Sequence, residues 1–334
     1  MSVAEINCCP GTLAEGYSGY SITALRHVFN GRKVSHLLPY DAPQKNEQDS
    51  EKFLENRKRI SISGAQEKLS FLLDKNKLRL TREGEQGTHI LKPIPRDLKK
   101  VDQVPANEHL TMVVACQVYG ILTAPCALIF FRNGEPAFIT KRFDLRGDGT
   151  KWAKEDFATL AEKTSETDGP NYKYGLSYEE IGQLIRRYVP ASKVEMDKYF
   201  CLVLFNYLFS NGDAHLKNFS LLENESGDYF LSPAYDLVNT RIHVSDQDFA
   251  LERGLFADDY RSQTAKKYGF PGRQDFLELA RRLGMEKKRA EKLMQPFIIY
   301  QDRVETLVAR SFLDDGAKKD YLWDYRSRCY RINS

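Results

Sequence analysis

The sequence is short of several things, and each shortage removes a class of protein. Its longest nearly uncharged apolar stretch, Tyr199 to Phe209, falls well below the roughly 20 residues that a membrane span needs. No basic n-region leads into an apolar segment near Glu5, so neither a membrane span nor an ordinary secretory signal is expected. The location read from this is cytoplasmic, with export through a dedicated secretion system left open. Net charge is only +3, from 49 basic against 46 acidic residues, too small to make nucleic acid the default partner. The six cysteines include no C-x-x-C pair and several sit in apolar runs, so they read as reduced thiols. A G-x-x-x-x-G-K-[ST] phosphate loop, a serine-hydrolase elbow, a zinc-spaced cluster and an internal repeat are all missing. With 42% hydrophobic and 28% charged residues, disorder and fibrous repeats are also excluded.

What is present is ordinary globular chain, 334 residues long, enough for about two domains at roughly 150 residues each. Residues 1–60 form a preamble broken by Gly11, Gly16 and Gly19, with a charged stretch from Gln44 to Lys58 that suits a helix or a linker. Lys68 to Leu73 and Lys77 to Leu80 flank the turn Asp74-Lys75-Asn76, and Gly87 to Ile94 follows as a third strand. Apolar residues at helical spacing predict a helix over Ala106 to Tyr119. Ala127 to Phe131 and Ala137 to Phe143 then bracket Asn133-Gly134, a strong hairpin signal. Beyond Asp156 the pattern turns helical, with Tyr178 to Tyr188 amphipathic and Met196 to Ser210 apolar nearly all round, as a buried helix is. A short hairpin is expected between Phe219 and Phe230. The expected architecture is α+β and two-lobed: a preamble (1–60), a β-rich N-lobe (61–144) and a helical C-lobe (145–334). From Lys266 to Arg331 there are 16 basic and 10 acidic residues, which suits either a surface for acidic partners or solvated faces of amphipathic helices.

The sharpest chemical signal is the polar run Ser210-Asn211-Gly212-Asp213-Ala214-His215-Leu216-Lys217-Asn218, placed between the apolar helix and the short hairpin. Asp213 and Asn218 have the D-x-x-x-x-N spacing of a kinase catalytic loop, in which the aspartate receives a hydroxyl proton and the asparagine holds Mg²⁺. Asp236 follows the hairpin, where a second metal carboxylate would stand, since Mg²⁺ around a triphosphate takes oxygen ligands. The alternative is a helix C-cap, with Asp213 in a turn and Asn218 bonding the backbone. In the N-lobe, Ser63, Gly64, Ala65 and Gln66 could cover phosphates through backbone N–H groups, or simply lead into a strand. Lys92 ends an apolar strand and could hold phosphates or be an edge lysine. Glu108 could pair with Lys92 or suit the helix dipole. Lys141, Phe143 and Asp144 lie where the lobes should connect, with Asp144 within reach of a ribose or in a strand-end salt bridge. His215 stands near the candidate base, where a loop histidine is often structural.

Taken together, Ser61-Ile62-Ser63-Gly64-Ala65-Gln66-Glu67-Lys68, Thr88-His89-Ile90-Leu91-Lys92, Lys141-Arg142-Phe143-Asp144, Asp213 through Ser220 and Tyr235-Asp236-Leu237 resemble the HipA family of bacterial toxin kinases, from about residue 59 to 260. The resemblance implies a Ser/Thr protein kinase with a lipid-kinase-like fold that uses ATP and Mg²⁺. It implies Asp213 as catalytic base, Asn218 and Asp236 as metal ligands, and Lys92 as the phosphate-binding lysine. Ser63 to Gln66, Lys141, Phe143, Asp144, His215 and Lys217 would line the nucleotide site. Ser61 occupies the family's autophosphorylation position, with Ser63 a second hydroxyl, and a phosphate there would repel the nucleotide. Only some 60 residues precede this loop, and with the Ser-Ile-Ser motif this looks like the shorter HipT branch. A HipS-like small antitoxin and a HipB-like helix-turn-helix antitoxin are the partners so implied, with DNA reached only through the latter. The implied substrate is an aminoacyl-tRNA synthetase, tryptophanyl-tRNA synthetase as the specific expectation. A small-molecule or lipid kinase, or a silent binding module of a DNA-bound antitoxin complex, are the rival readings.

Overall fold

Strand β1 (Leu69–Asp74) buries Leu69 and Phe71, the two-residue period of a strand covered on one face. In the computed structural model, which describes residues 6–42, 67–95, 99–245 and 247–334, it pairs antiparallel with β2 (Lys77–Leu80) and β3 (His89–Lys92). β3 pairs with β5 (Pro136–Lys141), and β5 with β4 (Cys126–Phe130). The result is a five-stranded sheet of order β2-β1-β3-β5-β4. The two hairpins lie where the turn residues placed them. This sheet belongs to a first unit made of Met1–Val113, Ala124–Thr150 and Thr306–Lys318.

The N-terminal stretch, which offered only glycine breaks, carries the helix Ile22–Phe29, capped by Ser21 and ended by Asn30 in the left-handed conformation. Val28, Phe29, Val34, Leu38 and Ala42 join Phe71, Leu91, Ile129 and Ile139 in one hydrophobic core. Phe29 stacks on His89 at 5.6 Å between ring centroids, and His89 Nε2 donates to the Val28 carbonyl at 2.8 Å. The first described residues are therefore part of the sheet's packing. Residues 306–318 join the same unit: Phe312 lies 5.7 Å from Phe130 by centroids and Arg310 pairs with Glu15 at 2.7 Å.

The second unit comprises Val114–Thr123, Lys151–Glu305 and Lys319–Ser334. Its axis is the helix Ser192–Leu208, buried from Tyr199 onward apart from half-buried Cys201, as an all-round apolar helix must be. The helix Tyr178–Tyr188 packs on it, started by a capping box between Ser177 and Glu180. A three-stranded sheet holds β6 (Lys154–Asp156), β7 (Ser220–Glu223) and β8 (Tyr229–Leu231) in that order. β6 escaped the sequence pattern, since three mostly exposed residues show no periodicity. Helices Arg273–Arg282, Lys287–Ile298 and Asp315–Ile332 follow. None of the six cysteines is in a disulfide, and no described helix is long and apolar enough to cross a membrane.

Burial depresses both His89 and His109 to about 4. Below the unfolded value near 6.5 the unfolded chain binds protons that the folded one refuses, so stability is complete above that pH and declines as pH falls toward 4. Urea unfolding of the first unit should lose up to about 1.4 kcal/mol per pH unit per imidazole across this window, and His89→Gln should reduce the slope. Phe29→Ala should cost about 3–5 kcal/mol at neutral pH.

Candidate active site

The helix Ser192–Leu208 delivers a polar loop at its C-terminal end, and the loop's backbone is fixed from several sides. Ser210 adopts a left-handed φ of 52°, a conformation that side chains other than glycine adopt rarely. Its carbonyl accepts from the Thr240 hydroxyl at 3.0 Å and the Thr240 N–H at 3.1 Å. The same Thr240 oxygen accepts the Gly212 N–H at 2.8 Å. Arg328, 1% exposed, donates through Nε to Ser210 Oγ at 3.1 Å and through Nη1 to Asp248 at 2.6 Å. Its guanidinium also lies 4.6 Å from the Tyr207 ring centroid.

Asn211, 3% exposed, ties the two acidic positions together. Its Oδ1 accepts the Asp213 N–H at 3.3 Å, while Nδ2 donates to Asn206 Oδ1 at 2.9 Å and the Asp236 carbonyl at 3.4 Å. Asp236 itself has a left-handed φ of 56°, strain of the kind that collects at functional sites. The Asp213 side chain is 54% exposed and stands 3.8 Å from His215 Nε2. Tyr174 donates its hydroxyl to Asp213 Oδ1 at 3.2 Å and packs edge-on against His215. Burial holds His215 below its ordinary pKa, more than Asp213 raises it, so the imidazole is neutral at pH 7. Its Nδ1 is buried without a hydrogen-bond partner among the described residues. Asn218 Nδ2 donates to the Asp213 carbonyl at 2.8 Å. Lys217 pairs with Asp156 at 2.6 Å; burial opposes its charge, but Asp156 more than compensates and raises its pKa.

In the first unit, Lys92 Nζ meets Glu108 Oε1 at 2.6 Å, both side chains only 4% exposed. Lys92 is thus a buried, ion-paired lysine on a central strand, and Glu108 is its partner. Arg142 forms a forked ion pair with Asp144, its Nε reaching Oδ1 at 2.9 Å. Phe143 sits between them, half-buried. Lys141 donates to Asn30 Oδ1 at 2.6 Å. Ser61, Ser63, Gly64, Ala65 and Gln66 lie outside the described residues.

The second unit thus brings Asp213, His215, Lys217, Asn218 and Asp236 onto one interlaced pair of loops. As cation donors Asn218 and Asp236 offer oxygen only, the chemistry that suits Mg²⁺. Among the described residues no group of three or more His, Cys, Asp or Glu is arranged to hold a metal. Sequence reasoning missed Tyr174, Asn211, Thr240 and Arg328. Asn211 alone carried a local signal, as part of the polar run.

With this geometry in place, comparison with known proteins defines first a class and then a family. The chain superimposes on HipA from Shewanella oneidensis MR-1, solved as a toxin–antitoxin complex with HipB and operator DNA. The TM-score is 0.61 at 20% identity, over 82% of this chain and 65% of that one. The architecture is therefore the mixed α/β fold of the HipA kinases. Residues 60–303 match the HipA-like C-terminal domain, and the chain belongs to that family. A Haemophilus influenzae protein named "Putative kinase" is 26% identical over 347 residues, spanning 100% of this chain and 98% of its own. The "Serine/threonine-protein kinase toxin HipA" of Shewanella oneidensis is 26% identical over 222 residues, covering 61% of this chain but only 48% of that protein. The chain accordingly spans nearly all of the first relative and about half of the second.

Removing one member of a buried ion pair strands the other, at about 3–5 kcal/mol. Lys92→Met and Glu108→Gln should each destabilise the first unit by that order, and the double variant by less than their sum. A double-mutant cycle in thermal unfolding measures the coupling.

Proposed function

We propose that this chain is an ATP- and Mg²⁺-dependent Ser/Thr protein kinase of the HipA type, acting as the toxin of a toxin–antitoxin system. The observation that carries the reading is the set Asp213, Asn218 and Asp236 at the end of a buried helix, in which Asn211 bonds the backbone of both aspartates and Asn218 bonds the Asp213 carbonyl. Asp213, exposed and aligned by Tyr174, would accept the proton of an acceptor hydroxyl. The neutral His215 imidazole beside it keeps a second positive charge away from that proton. Asn218 and Asp236 would hold Mg²⁺, which when bound neutralises charge on the transferring phosphoryl group. Lys92, oriented by Glu108, would hold the nucleotide phosphates. Ser63, Gly64, Ala65, Gln66, Lys141, Phe143 and Asp144 complete the proposed nucleotide site. Lys217, paired with Asp156, serves it by fixing the loop rather than by offering an uncommitted charge.

The finer assignment follows the resemblance to the HipT branch. In it Ser61 and Ser63 are autophosphorylated and inhibitory, and a HipB-like antitoxin links the chain to DNA. A HipS-like protein is the second antitoxin, and an aminoacyl-tRNA synthetase, tryptophanyl-tRNA synthetase first, is the substrate. The HipB and operator DNA in the related solved complex support the antitoxin partner.

Intact-mass spectrometry with peptide mapping, before and after Mg-ATP, tests the reading. Phosphate is expected on Ser61 or Ser63 and on a serine of added tryptophanyl-tRNA synthetase. Asp213→Asn should lower transfer by about 10²–10⁴-fold while nucleotide binding persists. Transfer to sugar or lipid alone, or full activity in Asp213→Asn, would overturn it.

A further inference from the structure

The segment that follows Asp236 lines a solvent-open cavity of about 710 Å³ within the second unit, with its lining drawn from residues 247–275. Phe249, Leu255, Phe256, Phe270 and Pro271 supply its apolar lining. The wall is held by backbone bonds to the elements beside Asp213: Tyr178 N–H to the Gly254 carbonyl and Glu179 N–H to the Leu255 carbonyl, both 3.0 Å, and Glu252 N–H to the Tyr174 carbonyl at 2.9 Å. Tyr174 is the link that matters, because its hydroxyl also reaches Asp213. The cavity wall and the candidate base are therefore two ends of one tyrosine. An extended peptide, advancing about 3.3 Å per residue, covers that separation in a few residues.

The charges around the cavity are unevenly satisfied. Asp248 is matched by Arg328 and Arg331. Asp275 receives Ser262 and the Gly272 N–H. Asp258 meets Arg282, and Arg253 meets Glu180. Glu252 and Asp259 line the cavity, are exposed, and have no cationic partner among the described residues, against a single such guanidinium, Arg261.

We propose that this cavity docks the polypeptide segment carrying the acceptor hydroxyl, and that it selects a basic side chain a few residues from that hydroxyl through Glu252 and Asp259. The apolar lining would take the aliphatic stem of a lysine or arginine while its charged end reaches the rim carboxylates. This rests on the kinase reading of Asp213.

The test uses the full chain and fluorescent serine-centred peptides in which a pair of arginines, or a pair of glutamates, is stepped along either side of the serine. Fluorescence anisotropy should show one arginine spacing bound about fivefold or more tightly than its glutamate counterpart, weakening with salt. Glu252→Lys combined with Asp259→Lys should reverse that preference and leave nucleotide affinity unchanged. Both residues are exposed and outside the proposed catalytic set, so the fold should survive. Equal affinities for both peptide series, or an arginine preference that survives the charge reversal, would overturn the docking site whatever the enzyme's activity. A reversible arginine preference without Mg-ATP-dependent transfer to the serine would support the site and overturn the kinase reading instead.

Discussion

A guanidinium almost shut off from water is the constraint on which the candidate site depends. Arg328 sits 1% exposed between Ser210, Asp248 and the face of Tyr207. A buried cation is tolerated only where counter-charge and hydrogen bonds surround it, so its position dictates where those groups must be. One of them is Ser210, the residue whose left-handed backbone turns the chain out of the buried helix. Thr240 fastens the same residue from the other loop. The turn thus depends on three stretches of sequence at once, and Asp213 inherits its place from it. The design separates two needs that conflict: the carboxylate faces water, while the backbone beneath it is rigid and dry.

The first unit solves a similar problem with a different pair. Lys92 cannot be shielded from water at the end of a strand without a carboxylate, and Glu108 provides one from the helix Val104–Gln117. Such a pair is weak as a stabiliser, because desolvation offsets most of the Coulomb attraction. Its value lies in direction: the carboxylate fixes where the ammonium sits at the end of the strand. The strand carrying Lys92 is anchored at its opposite end by His89, bonded to Val28 and stacked on Phe29.

Local chemistry made much of this legible. The turns at Asp74-Lys75-Asn76 and Asn133-Gly134 declare their hairpins because their backbone preferences are intrinsic. The helix Ser192–Leu208 declares its burial because nearly every face is apolar. The polar run from Ser210 to Asn218 stood out because charged and amide groups rarely crowd against such a helix without purpose. Residues 6–42 were harder, since glycine breaks hide the short helix Ile22–Phe29, and its fit to the sheet depends on strands that come later. β6 was hidden for a related reason: a three-residue strand is defined by its partner β7 rather than by its own composition.

The sequence by itself determined most of the elements, though neither the helix Ile22–Phe29 nor β6, together with the order and residue types of the candidate site, because spacing and residue type are properties of the chain. It could not determine the supports. Arg328 lies 118 positions from Ser210, and Tyr174 lies 39 from Asp213, separations at which no local pattern connects two residues. A buried arginine reads as one more basic residue in a charged helix until folding removes its water. Tertiary structure decided which of many similar polar side chains were enclosed, and enclosure turns an ordinary hydrogen bond into a constraint on the site.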